Sequence, residues 1–220
     1  QFAMDRKVGD MSYSQRKQAY KWVQKHFTII NNNQVYSYSD IIVFMEKIMR
    51  QQQIDAIFVD PYNSLKLDMK GSNIGTHDYH YEAASEFLTF SKANNVAVWL
   101  NMHAVTEAQR RKGADGLPIA PYAEDTEGGG KFVNRCDCFI TIHRKVQSPD
   151  HSIRKLSEVH VRKVRETETG GSPTSLDEPY KLVMNLSHTG FTSWGGVSKL
   201  FQPIEFEQAK ALPINFDFSS

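Results

Sequence analysis

Two cysteines, Cys136 and Cys138, are all that the 220 residues carry. That excludes a small fold stapled by disulfides, and both are read as reduced thiols in a cytosol-like compartment. No run approaches about 20 apolar residues, so no membrane-spanning helix is expected. The opening Gln-Phe-Ala-Met has neither a basic flank nor an apolar stretch, which rules out a signal peptide. It also lacks an initiator Met, as a cut through a larger protein would. Charge of one sign is missing too. A formal net charge of +1 produces no global positive field, so any contact with nucleic acid has to come from local loops. No Gly-x-x-x-x-Gly-Lys-Ser/Thr run occurs, so these residues contain no phosphate-cradling loop of that type.

What is present is globular: 40% hydrophobic and 23% charged residues suffice for one domain with a real core, or a domain plus a tail. The stretch from Ile54 to Asp60 stands out. It is a short apolar run that ends in a carboxylate and is followed by Pro61. Such a run fits a strand buried on both faces. An acid at its carboxyl end sits where open α/β sheets bind ligands, and in phosphate-handling folds that acid holds magnesium. A strand that merely stops at an Asp-Pro turn explains the same residues.

The periodicity predicts a helix from Ser14 to His26, with Ser14 as its cap, and a short strand over Phe27–Ile30. Ser39-Asp40 opens an amphipathic helix carrying Ile41, Phe44, Met45, Ile48 and Met49. A third helix runs from about His77 to Asn94, and a second buried strand from Val96 to Met102. Strand, helix and strand at this spacing make a βαβ unit, hence parallel strands. Residues 104–125 read as irregular, too long for a simple connection, and therefore functional or mobile. Gly128-Gly129-Gly130 reads as the start of a loop. Further strands are expected over Asp137–His143 and Val159–Lys163, a turn at Thr169-Gly170-Gly171, and a terminal hairpin around Ser187–Gly190. The tail after Pro203 is expected to be peripheral.

Three groups of residues are candidates for chemistry. Asp60, and Asn101 with His103, fall at the carboxyl ends of the two parallel strands and should converge on one crevice. Lys163 and Arg165 lie two apart on a strand and so share a face; Arg offers a bidentate fork for phosphate and Lys a point charge. A solvated edge strand whose charges deter aggregation explains them as readily. In Asp125–Asp137, consecutive glycines let backbone N–H groups approach a phosphate closely, while a plain hinge is the competing reading.

In order and spacing these motifs resemble the RecA-like motor domain of the DnaB class of replicative helicases, which includes phage primase-helicases and the mitochondrial Twinkle helicase. The resemblance covers roughly residues 1–195. It implies an α/β fold with a mostly parallel twisted sheet flanked by helices and a C-terminal antiparallel hairpin. Residues 1–200 would be a partial ATPase core and 201–220 a peripheral tail. Ile54–Asp60 resembles the Walker B strand, with Asp60 the magnesium-associated acid. His103 takes the place of the residue that senses the γ-phosphate. Lys163 and Arg165 match the Lys-x-Arg pair, whose Arg reaches a neighbouring subunit's ATP. The segment 125–137 matches the loop on single-stranded DNA, so Gly128, Gly129, Gly130, Lys131 and Arg135 become candidate DNA contacts, with Arg110 and Arg111 in support. Asn63 and Asn134 are candidate nucleotide contacts.

ATP, Mg²⁺, single-stranded DNA and a homo-hexameric ring are what the resemblance implies, without a membrane. The setting implied is the cytoplasm of a bacterium or a phage-infected cell, or a mitochondrion. The departures are the missing P-loop and the missing catalytic glutamate, both expected upstream, and Glu127 where the DNA loop usually has Arg. The chain alone is therefore expected to be a poor ATPase.

Two other readings stand beside this one. A metal-dependent phosphoesterase would use Asp60, Asn63, the His77-Asp78-Tyr79-His80 group, His103 and His143. A degenerate RecA-like module would bind DNA or a partner without catalysis.

Overall fold

The computed structural model describes residues 12–30, 34–68, 75–126, 128–175, 177–185 and 190–194. Glu127, the tip of the expected hairpin at 187–189 and the tail beyond residue 194 lie outside the described residues.

Helix α1 spans Tyr13–His26. Its cap is Ser12 and not Ser14, because Ser12-Tyr-Ser-Gln15 forms a reciprocal capping box. Gln15 returns its side chain to the Ser12 amide at 2.8 Å, a bond that Ser14 has no partner to make. None of the residues of α1 is buried. The strand expected over Phe27–Ile30 does not form. The segment is extended, but no neighbouring strand pairs with it among the described residues.

Helix α2 spans Tyr38–Met49 and begins with a second capping box, Ser37 with Asp40. Hydrogen bonds from Ser37 hold the Asp40 carboxyl below the usual carboxylate range. The α2 stripe packs inward through Tyr38 and Met45, with Ile41, Ile42 and Met49 beside them.

Strands β1 (Ala56–Val59) and β2 (Ala97–Leu100) are parallel, in register from Ala56↔Ala97 to Val59↔Leu100. The crossover between them is helix α3, Thr76–Asn94, which ends where Asn95 adopts the left-handed conformation at φ 50°. Ala83, Phe87 and Phe90 of α3 are buried against Val59 and Val96, and this cluster is the core of the molecule.

A second sheet follows. Strands β3 (Cys138–His143), β4 (Leu156–Val164), β5 (Tyr180–Asn185) and β6 (Gly190–Ser193) pair in that order, all antiparallel. The expected hairpin is therefore the end of a larger antiparallel sheet, and the parallel part is a pair. The turn expected at residues 169–171 is a single helical turn, Thr167–Gly170. Residues 104–126 are irregular, as read, with 3₁₀ turns at Thr106–Arg110 and Ala123–Asp125. Both cysteines are free thiols.

Candidate functional site

The parallel pair sets the geometry. Asn101 follows Leu100, and its amide donates to the Val59 carbonyl at 2.9 Å, which brings the two strand ends level. Asp60 follows Val59 directly, through a cis peptide bond to Pro61. The Tyr62 amide donates back to the Asn101 carbonyl at 2.8 Å, so both chains leave the sheet along a common rim. Asp60, Asn101 and His103 are all exposed there and line one cavity. Asn63 is half-buried and does something else. Its Oδ1 accepts the His103 amide at 2.8 Å, which ties the turn after β1 to the turn after β2. Its side chain holds His103 in place instead of lining the cavity.

Lys163 and Arg165 lie at the end of β4, next to the helix that precedes β3. That helix, α4, spans Gly129–Arg135. Lys163 Nζ donates to the Val133 carbonyl. Arg165 donates from one amino nitrogen to the Arg135 carbonyl at 2.7 Å and pairs with Asp137 through the other at 2.8 Å. Both cations thus cover the carboxyl end of α4, where unpaired carbonyls and the helix dipole favour positive charge. Arg165 is half-buried, with 30% of its side chain exposed. The partner Asp137 escaped the sequence reading, because the contact joins residues far apart in the chain.

The glycine run is not a loop. Gly128 sits at φ +70°, and Gly129–Arg135 is helical. A Cβ at Gly128 would stand 2.7 Å from the His80 ring, and one at Gly129 would stand 2.6 Å from the Glu124 carbonyl oxygen. Both positions need glycine so that this turn can pack on its own chain. Only Gly130 faces open space. His80 is buried under Gly128, with Nδ1 2.9 Å from the Tyr62 hydroxyl.

The basic candidates have aromatic or acidic neighbours. Arg135 and Lys131 lie over the Tyr81 ring, at 4.3 and 5.7 Å from its centroid. Arg111 pairs with Asp125 and lies over Tyr122, whose ring also receives Arg162 at 5.0 Å. Arg110 is exposed and paired with Glu107. Arg135 lines the cavity that Asp60 lines, whereas Asn134 is exposed on α4 and does not. Tyr81 and Tyr122 were not singled out in the sequence, since nothing in a lone tyrosine marks it as a cation's neighbour.

The ligand set of a binuclear phosphoesterase does not assemble. His80 is in the core, His77 and Asp78 are exposed at the start of α3, and His143 bonds to the Pro118 carbonyl beside the second sheet. Among the described residues no three His, Cys, Asp or Glu side chains converge as a metal site.

A parallel pair with an acid, an amide and an imidazole on its rim, followed by an antiparallel sheet, is the fold of the RecA-like ATPase domain of DnaB-class helicases. Two solved structures share it. The ATPase domain of one DnaB-like helicase superposes with a TM-score of 0.64 at 13% identity, over 86% of this chain and 62% of that one. A DnaB-like replicative helicase, solved in a study of its interactions with primase, gives 0.64 and 13% over 86% of this chain and 43% of that one. Among curated proteins, the Twinkle homolog protein, chloroplastic/mitochondrial, of Arabidopsis thaliana is 25% identical over 167 residues. Those residues are 75% of this chain and 22% of that protein, so the chain spans about a fifth of the relative's length. No family model matches. Among the described residues no helix is long and apolar enough to cross a membrane.

Proposed function

We propose that this chain is the carboxyl-terminal part of the motor domain of a replicative DNA helicase, which couples ATP hydrolysis at the subunit interfaces of a ring to movement along single-stranded DNA. The observation that carries the reading is the shared rim. Asp60 and His103 leave adjacent parallel strands at the same level and line one cavity. Residues 1–200 belong to that motor, with 201–220 peripheral to it.

A single exposed carboxylate with no further ligand cluster suits Mg²⁺, which keeps its waters and takes the rest of its shell from nucleotide phosphates. When bound, the metal neutralises phosphate charge. Asp60 would orient its water shell. His103, steadied by Asn63, would donate a hydrogen bond to a terminal phosphate and register its presence. Arg165 would act on a neighbour's nucleotide, where an arginine finger contributes ~10³–10⁵ in rate. To do so it has to exchange Asp137 and the α4 carbonyls for phosphate. That makes α4, and with it Lys131 and Arg135, move with the state of the neighbour's nucleotide. Lys131 and Arg135 are the DNA contacts this arrangement favours, with Arg110 and Arg111 in support. Gly128 and Gly129 serve packing.

The test is single-stranded DNA binding and DNA-stimulated ATPase of the longer natural polypeptide that carries these residues. Asp60→Ala should lower turnover by at least about 100-fold and leave DNA binding intact. Lys131→Ala should leave basal turnover unchanged and make the dependence of log K on log salt shallower by about 0.7. An Asp60→Ala protein with full turnover contradicts the reading.

A further inference from the structure

The two sheets do not touch edge to edge. Between them lies a groove of about 800 Å³, with β2 along one wall and β3 along the other. Trp99 and Leu100 face Phe139 and Ile140 across it, and Phe87 and Leu88 of α3 form its floor. Both walls are strand edges. The Ala97 and Asn101 amides donate to β1, at 3.1 and 2.9 Å, so the intervening Val98 and Leu100 turn their N–H and C=O groups into the groove. Strand β3 pairs with β4 on one side and turns its other edge inward. Unpaired backbone along two facing edges is a vacancy for a strand.

A second surface agrees. Phe58 and Trp99 stack, with ring centroids 6.1 Å apart, on the face of the parallel pair opposite α3. They are 65% and 49% exposed, although parallel strands are normally covered on both faces.

We propose that a β-strand from polypeptide outside these 220 residues seats between β2 and β3, parallel to β2, and that the helix following it covers Phe58 and Trp99. The inference rests on the reading that the chain is part of a larger motor domain. The source of the strand is the portion of such a domain that this chain does not match, since the match takes in 62% of the solved ATPase domain. Seated parallel to β2, the strand ends at the rim beside Asp60 and Asn101. The turn after it then faces the space that His103 faces. The strand joins the two sheets into one and fixes Arg135, on the groove's wall, relative to Asp60.

Amide hydrogen exchange of the 220-residue chain and of the longer natural polypeptide tests this. The Leu100 amide should exchange on the order of 100-fold more slowly in the longer polypeptide. Ile140→Lys, on the β3 wall, should leave the melting temperature of the 220-residue chain unchanged and lower that of the longer polypeptide by several degrees. Equal exchange at Leu100 in the two proteins overturns the proposal, as does an equal effect of Ile140→Lys in both. A longer polypeptide that protects Leu100 but lacks ATPase supports the strand and sinks the helicase reading. One that hydrolyses ATP with Leu100 unprotected does the reverse.

Discussion

Gly129 and Gly130 are neighbours in sequence with opposite demands on space. A methyl group at Gly129 meets the Glu124 backbone at 2.6 Å, and backbone cannot step aside cheaply. Gly129→Ala should destabilise the fold by about 1–3 kcal/mol. Gly130 faces open space inside α4, so Gly130→Ala should be neutral or stabilising by up to about 1 kcal/mol. Urea melts of the two variants check the contrast, and equal effects would show that the turn does not pack as described. His143 adds a pH dependence. Burial pushes its imidazole below the ordinary value of 6.5, against the opposing pull of Glu158, so the fold prefers it neutral. The unfolded chain binds this proton first as pH falls, so stability is full above about pH 6.5 and declines below it. His143→Gln, which can still donate to the Pro118 carbonyl, should lose less stability than the unsubstituted chain between pH 7 and pH 5. Glu158 is separable. A hydrogen bond from His160 holds its carboxyl below 4.5, so its contribution disappears only at more acid pH.

Among the elements, α4 depends most on residues far from it in sequence. Its last carbonyls are covered by Lys163 and Arg165, and the hydrogen bonds are charge-assisted. Arg165→Ala should cost about 1.5 kcal/mol in a urea melt of the 220-residue chain. Arg165→Lys should recover only part of it, because an ammonium cannot span Asp137 and the Arg135 carbonyl as a guanidinium does. An unchanged melt for Arg165→Ala would mean that the contact is not formed in solution. The elements that could be read from sequence were those whose signal is local. The apolar run at Ile54–Asp60, the stripe from Tyr79 to Phe90 and the run at Val96–Leu100 declared a βαβ unit, and that unit forms. The rim followed from it, since the ends of adjacent parallel strands must lie together. Helix α4 was hidden because its three glycines argue for a loop, and only the close approach to His80 and Glu124 explains them. The Phe27–Ile30 strand failed for the opposite reason: its composition suits a strand, but a strand exists only beside a partner. The tie between Arg165 and Asp137 had no local signal at all.

At the scale of the whole molecule, the chain presents surfaces that look unfinished. Helix α1 buries nothing, Phe58 and Trp99 lie bare, and a strand-lined groove divides the two sheets. An ordinary interior would bury this apolar area, at roughly 25 cal/mol per Å². The same incompleteness bears on catalysis. A rim with an acid and an imidazole but no phosphate-cradling loop can position a nucleotide's metal and sense its terminal phosphate. It cannot hold the nucleotide. Steady-state ATP turnover by the purified 220-residue chain, with Asp60→Ala alongside, tests this most directly. Turnover at background in both proteins is the result predicted; measurable turnover by the unsubstituted chain that Asp60→Ala abolishes would contradict it.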